Sequence, residues 1–396
     1  MKTTKKLLIL GIFVAMVAPA FLANAADGNR YLVKSTGQFW KNAFNARNEF
    51  KHGFTADLND WQLRFAKLLG VEVEQVKVLQ VLPEEIKETV SGKETKNTRL
   101  VPADQTPWGI ETVYGDSKIA STSGGRGVMV AVLDTGVNTA HPDLKARVSK
   151  CRDFTNARIP MVEGKCEDKN GHGTHVAGII AADGGIDGLG IYGIAPEASL
   201  FAFKVCGISG ACYADDVAVA IAQAADDGAN IINLSLGSDS ASKLITDAVN
   251  YAVSKKVLVV AAAGNDGPYP ASIDYPAAQS EVIGVGAFDD KFVMAGWSSQ
   301  GINKKTTPYK VEEQDIEFAA PGVNIESAWK NGGYAVLSGT SMAAPFVAGL
   351  AAKDWPLTAS ISEPSHWVRE RLHNEVIDLL PPGDDDSSGF GLPIVK

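Results

Sequence analysis

Three short segments of this 396-residue chain hold residue types that together can carry out acyl transfer: Val132-Leu133-Asp134-Thr135-Gly136, Asn170-Gly171-His172-Gly173-Thr174-His175 and Gly339-Thr340-Ser341-Met342-Ala343. A serine hydroxyl becomes a nucleophile only beside a general base. An imidazole supplies that base, and a carboxylate fixes the imidazole's tautomer. Asp134 closes an apolar run, where an ionised carboxylate needs donors or a charge partner. His172 opens a run of small residues reaching Ala182. Ser341 opens another reaching Ala352, which sets its hydroxyl at the positive end of a helix. Taken alone, Asp-Thr-Gly is a common turn and Gly-Thr-Ser a common helix cap. Their joint occurrence is what singles them out.

The elements that must position these residues read as α/β. Apolar runs at Val128–Leu133, Ser199–Val205, Asn230–Leu236 and Val257–Ala263 end in turn residues and lead into small-residue helical stretches. Runs apolar on both faces suit buried parallel strands covered by helices on both sides of a doubly wound, mostly parallel sheet. In such sheets ligands bind beyond the carboxyl ends of the strands. Asn265, after the last of these runs and Gly264, is placed to turn a side-chain amide toward that cleft; an Asn-Asp-Gly loop turn is the competing reading.

The first hundred residues differ. Met1–Ala25 has a basic start (Lys2, Lys5, Lys6), an apolar stretch from Leu7 to Leu22 and Ala23-Asn24-Ala25, the pattern of a signal peptide. No later run approaches the ~18 apolar residues that span a bilayer, so export as a soluble, secreted protein is expected. Residues 26–99 read as a small α+β module. Arg30–Lys34 is strand-like, and Asp57–Gly70 is helical with Leu58, Trp61, Phe65, Leu68 and Leu69 on one face. Val71–Val73 and Val76–Leu82 alternate as half-buried strands do. Ser91–Asn97 has linker composition, so the expected divisions are 1–25, 26–99 and 100–396.

Together these features resemble the subtilisin family of serine proteases. The match runs over about 105–395 and rests on V-A-V-L-D-T-G-V (130–137), H-G-T-H-V-A-G (172–178) and G-T-S-M-A-A-P-F-V-A-G (339–349), extended by N-L-S-L-G (233–237) and A-A-A-G-N (261–265). The order Asp, His, Ser is that of subtilisin itself. The resemblance implies a triad of Asp134, His172 and Ser341, with Asn265 and the Ser341 backbone N–H stabilising the oxyanion. It implies that protein or peptide substrates bind as an added strand between Gly207–Tyr213 and Ser235-Leu236-Gly237, beside Gly264. It also implies a structural calcium held by Asp104, Asp143, Asp187 and the carbonyls of Gly185, Leu189 and Ile191, and a self-processing precursor inhibited by residues 26–99. Ala344 and Phe346 depart from the family's wording on the helix after the serine; altered packing with retained activity is expected.

Asp274 precedes the Tyr275-Pro276 pair that borders the family's primary pocket, and a carboxylate there would favour Arg or Lys before the cleaved bond. A solvated loop aspartate is the alternative. The linker bond Arg99–Leu100 suits self-cleavage after a basic residue. Asp384-Asp385-Asp386 reads as a solvated turn, and His175 and His141 as structural.

The net charge of −9 argues against a nucleic-acid partner, and the chain is expected to act as a monomer. In an exported protein the four cysteines favour bridges. Short separations favour Cys151–Cys166 and Cys206–Cys212, although four cysteines allow three pairings.

Overall fold

The computed structural model describes residues 29–81, 85–87, 100–157, 159–304, 306, 310–358, 360–380 and 383–396. The expected signal peptide, the linker 91–97 and Arg99 lie outside the described residues. The chain divides into two compact units, Met1–Lys77 with Ala157–Pro160, and Val78–Asn156 with Met161–Lys396.

In the smaller unit, β1 (Arg30–Val33), β2 (Glu49–Phe50), β3 (Gly53–Asp57) and β4 (Val73–Gln75) form an antiparallel sheet in the order β2-β3-β1-β4, with helices α1 (Gln38–Phe44) and α2 (Asp60–Leu68). Helix α2 starts where it does because Asn59 and Gln62 make a reciprocal capping box. The expected single apolar face is only partly realised. Leu58 joins Val33, Phe44, Phe54, Ala56 and Ala66 in the core, whereas Trp61, Leu68 and Leu69 are 53%, 81% and 52% exposed. Four short strands offer too little surface to bury them all.

The larger unit is built on eight strands in the order β16-β15-β14-β12-β7-β10-β8-β9. They are β7 (Met129–Asp134), β8 (Val148–Asp153), β9 (Val162–Glu163), β10 (Ser199–Lys204), β12 (Ile231–Leu234), β14 (Leu258–Ala262), β15 (Val282–Phe288) and β16 (Phe318–Pro321), parallel except for the β8–β9 pair. Every residue of β12, β14, β15 and β16 is buried. Because successive side chains point to opposite faces, both faces are covered. The α/β, mostly parallel architecture expected from the apolar runs is therefore the fold observed. The helices of this unit are α3 (Trp108–Tyr114), α4 (His172–Ala181), α5 (Ala214–Asp226), α6 (Lys243–Ser254), α7 (Thr340–Asp354) and α8 (Pro364–Asn374). Helix α4 packs on α7, and α5 on α6.

Three further short sheets lie in this unit, one of them a pairing of Val376–Ile377 with Leu392–Pro393. Strand β5 (Val78–Val81) is antiparallel to both β11 (Ala211–Tyr213) and β13 (Leu236–Gly237), and so occupies the gap between them. Strand β6 (Glu85–Lys87) pairs with β18 (Tyr334–Ser338), which also pairs with β17 (Ile325–Ala328). The alternation at 76–82 thus marks a strand whose partners lie more than a hundred residues away.

Candidate active site

Asp134 is the last residue of β7, and its side chain is fully buried. Burial of a carboxylate is tolerable only with donors around it, and it has them. His172 Nδ1 lies 2.8 and 3.0 Å from its two oxygens, and the Thr135 N–H donates to Oδ1 at 2.6 Å. The proton on Nδ1 leaves Nε2 as the basic nitrogen. Nε2 is buried and without a hydrogen bond. Helix α4 approaches the end of β7 closely because residue 173 is glycine. A Cβ there would lie 2.1 Å from the Gly136 carbonyl oxygen and 3.0 Å from Asp134 Oδ1.

Sequence reasoning did not single out Asp168, which ties these two elements together. This buried carboxylate accepts through Oδ1 from Thr135 Oγ1 (2.9 Å) and the N–H groups of Asn170 (3.0 Å) and Gly171 (2.7 Å). Through Oδ2 it accepts from the Thr174 N–H (2.9 Å) and Oγ1 (2.7 Å). Thr135 Oγ1 in turn accepts from the Gly173 N–H at 3.0 Å. The signal in the sequence was an acidic residue just before the first turn of α4, where it complements the helix dipole.

Ser341 sits in the first turn of α7, behind Gly339 at φ 153°, a conformation that favours glycine. Its Oγ donates to the Ser235 carbonyl at 3.0 Å, while Ser235 Oγ donates to the Ser341 carbonyl at 2.9 Å. These bonds join the serine's turn to the residue between β12 and β13. Catalytic hydrogen bonds are often tightened only by bound substrate. A χ1 rotation is all that separates the present hydroxyl direction from another staggered well. Asn265 lies beside the same turn. Its Oδ1 accepts from the Thr340 N–H and Oγ1, both at 3.0 Å, so its Nδ2 is the end that serves as donor. Ala344 and Phe346 are buried; a Cβ on Gly109 would meet the Phe346 ring at 2.6 Å, so that larger side chain is accommodated by a glycine.

The chain's own β5 runs between Ala211–Tyr213 and Leu236–Gly237, with Val81 opposite Leu236 and Gln80 opposite Gly237. The Val81 N–H also donates to the Gly210 carbonyl at 3.0 Å. The Cys206–Cys212 disulfide clasps the loop containing Gly207 that leads into β11, and Cys151–Cys166 forms the second bridge.

Asp274 is 2% exposed, and its N–H donates to the Ala263 carbonyl at 2.7 Å. Its carboxylate rests against backbone: a Cβ on Gly237 or Gly264 would lie 2.8 Å from Oδ2, while Oδ1 has no hydrogen bond. Burial, then the charges of Asp266 and Asp239, push its pKa up to about 7. A pocket of about 410 Å³ lies beside it, lined by Asp239, Asp266, Tyr269, Ala271, Ser272 and Ile273. The solvated-loop alternative for Asp274 is therefore excluded.

At the expected calcium loop, Asp143 is buried and accepts from the Ile191 N–H (3.0 Å) and Tyr334 OH (2.7 Å). Asp187 accepts from the Leu189 N–H at 3.2 Å. Asp104 instead accepts from the Thr106 N–H, and it is Gln105 that reaches the loop, its amide donating to the carbonyls of Gly188 (2.6 Å) and Gly190 (3.0 Å). Among the described residues, Asp104, Asp143 and Asp187 do not bring three carboxylate oxygens together, and the Gly185 and Ile191 carbonyls accept from the N–H groups of Gly188 (3.1 Å) and Gly184 (2.9 Å). The donors around this loop are nonetheless oxygens, the kind a hard cation takes. His175 and His141 are buried and bonded to backbone carbonyls, His175 to Ile325 and Ala335, His141 to Gly333. The Asp384 reading needs correction: Asp384 is 7% exposed, bonded to Asn303 Nδ2, and burial raises its pKa to about 6.

Comparison with known proteins gives a consistent result. The Subtilase family model matches residues 125–391. The protein named Subtilisin from Bacillus sp. (strain TA39) is 42% identical over 422 residues, spanning 100% of this chain and 98% of that one. Subtilisin Savinase from Lederbergia lenta is 42% identical over 290 residues, 73% of this chain and 97% of that one. Among solved structures, S41 Psychrophilic Protease and Sphericase each superpose with a TM-score of 0.71 at 46% identity, covering 74% of this chain and 99% of theirs.

Proposed function

This chain belongs to the subtilase family and is a subtilisin-like serine endopeptidase, and on that footing we propose the residues that carry its reaction. Ser341 Oγ attacks the scissile carbonyl while His172 Nε2 takes its proton. Asp134 holds the Nδ1–H and stabilises the imidazolium that forms. Asn265 Nδ2 and the Ser341 N–H receive the developing oxyanion. His172 then returns the proton to the leaving amine, and water releases the acyl group from Ser341 by the reverse sequence. The buried Asp134–His172 pair, fixed at one end of the sheet with α4 packed on α7, is the observation that carries this reading. A fluorophosphonate applied to the secreted protein should label it at Ser341, and Ser341→Ala should abolish labelling. Label found elsewhere, or unchanged in the variant, would overturn it.

Substrate binds as an added strand between β11 and β13, where main-chain bonds accept any extended peptide and pockets supply preference. The presence of β5 in that place, with His172 and Ser341 both buried, supports a precursor latent until it cuts itself, residues 26–99 serving as its inhibitor. N-terminal sequencing of the mature form distinguishes a cut close behind Val81 from one at Arg99–Leu100. The Asp274 carboxylate gives the primary pocket a preference for Arg or Lys. Peptides differing only in Arg, Phe or Leu at that position test it, and a Phe preference would overturn it.

Calcium bound through Asp143, Asp187 and the carbonyls of Gly185, Leu189 and Ile191, with Asp104 or Gln105 closing the site, would brace the loop against the 104–106 segment. Chelation should then lower the melting temperature. The signal-peptide pattern at 1–25 supports secretion, and no helix among the described residues is long and apolar enough to cross a membrane. We read the mature enzyme as an acidic monomer.

A further inference from the structure

The pocket at Asp274 holds more negative charge than one aspartate supplies. Asp239, Asp266 and Asp274 each contribute a carboxylate oxygen, and the three oxygens lie within 4.8 Å of one another. We propose that these three residues bind a divalent cation, calcium, at the place where a basic substrate side chain would enter. The competition, though not the ion site itself, rests on the reading of Asp274 as part of the primary pocket.

Three observations carry the proposal. First, the spacing fits oxygens arrayed around an ion with Ca–O distances of about 2.3–2.6 Å. Second, Asp274 Oδ1 is buried without a hydrogen bond, a costly state for a carboxylate unless something outside the chain completes it. Third, no basic side chain among the described residues pairs with any of the three. Elsewhere in the unit the fully buried Glu317 is answered within the chain by Arg369 and His373, whereas Asp384 Oδ2, like Asp274 Oδ1, is buried without a hydrogen bond.

The construction of the pocket suits an exchangeable ligand. Gly237 and Gly264 press on Asp274 from the backbone and leave no room there for a neutralising side chain. Asp239 and Asp266 are exposed at the pocket's rim, so an ion enters from solvent and waters fill its remaining positions. An all-oxygen donor set selects a hard cation over zinc or copper. A guanidinium and a calcium ion would meet the same oxygens, and only one fits at a time.

Calcium titration by calorimetry on the full chain carrying Ser341→Ala, which cannot cut itself, tests the site. The comparison is the same chain with Asp239→Asn and Asp266→Asn added. Both changed positions are exposed, and circular dichroism checks that both proteins are folded. The expected result is the loss of one calcium per chain, and equal stoichiometry and affinity would overturn the site. Steady-state kinetics of the secreted enzyme, from about 10 µM to about 10 mM calcium, tests the competition. With Arg before the cleaved bond, KM should rise severalfold with calcium at constant kcat, and with Ala there it should not move. A calcium-independent KM for the Arg peptide overturns the competition. If Arg peptides are no better than Phe peptides even at the lowest calcium, the basic-residue reading of Asp274 fails, and the calorimetry still decides the ion site.

Discussion

Asp134 and Asp274 are both buried aspartates at the carboxyl-end side of the same sheet, and they are treated oppositely. Asp134 faces a ring nitrogen and a backbone N–H at 2.6–3.0 Å, and its neighbour Asp168 collects five donors more. Asp274 lies between two glycines with one oxygen unbonded and two other carboxylates close by. The first arrangement spends its donors in advance, so nothing need reorganise when charge moves during reaction. The second withholds them, and therefore gains most when a cation arrives from outside. One region is built to stay fixed and the other to be filled.

Replacing each carboxylate by its amide should expose that contrast. Asp134→Asn keeps the shape but disturbs the His172 tautomer, and kcat should fall about 10⁴-fold, the size of loss known for such triads. The preference among Arg, Phe and Leu peptides should stay as it was. Asp168→Asn keeps an acceptor for part of the loop but turns an NH₂ toward the Thr174 donors, loosening α4 against β7. We expect kcat to fall about 10- to 100-fold with KM little changed, as displacement of a reacting group implies. A variant that only lost thermal stability, with kcat intact, would reduce Asp168 to scaffolding. Asp274→Asn should leave kcat for a Phe peptide near its original value and lower kcat/KM for an Arg peptide about 10- to 100-fold. With calcium removed and above about pH 7, where the carboxyl is ionised, it should also raise the melting temperature, because it takes away a buried charge that the chain leaves uncompensated. Unequal effects on the two peptides are the sensitive readout, and a uniform loss would merge the two regions into one.

How much of this was legible in the sequence follows the range of the interactions. Asp134, His172 and Ser341 announce themselves through local grammar: an apolar strand ending in a carboxylate, and helices opening on His and Ser. Strands β7, β10, β12 and β14 follow from their apolar runs to within two residues. Asp168 does not announce itself, since an acidic residue in Glu167-Asp168-Lys169-Asn170 looks like any solvated turn until β7 and α4 fold against it. Likewise the burial of Asp384 depends on Asn303, eighty-one positions away. The alternation at Val78–Val81 reveals a strand, but its partners at 211–213 and 236–237 are set by tertiary structure. Conversely, Trp61, Leu68 and Leu69 keep perfect helical spacing and still lie exposed, because periodicity states which face is apolar and not whether anything covers it.

A third buried group sharpens the comparison at the level of stability. His175 is one turn along α4 from His172 and fully buried, and its Nε2–H is shared between the carbonyls of Ile325 and Ala335 at 3.0 and 3.1 Å. Nδ1 has no partner, so a second proton would be unsupported. Burial, reinforced by the neighbouring His172, lowers its pKa from 6.5 to about 3. The folded protein thus keeps this ring neutral, while the unfolded chain takes up a proton below about pH 6.5. Stability is full above that pH and declines as pH falls toward 3, at roughly 1.4 kcal/mol per pH unit at the steepest. In a Ser341→Ala background, which removes self-digestion, the melting temperature should drop between pH 6.5 and pH 4. His175→Gln, which retains a donor for the two carbonyls and has no ring to protonate, should start lower at pH 7 and show a visibly shallower decline. Parallel curves for the two proteins would assign the acid sensitivity to carboxylates, and would make His175 as silent toward pH as the hydrogen-bonded part of the site.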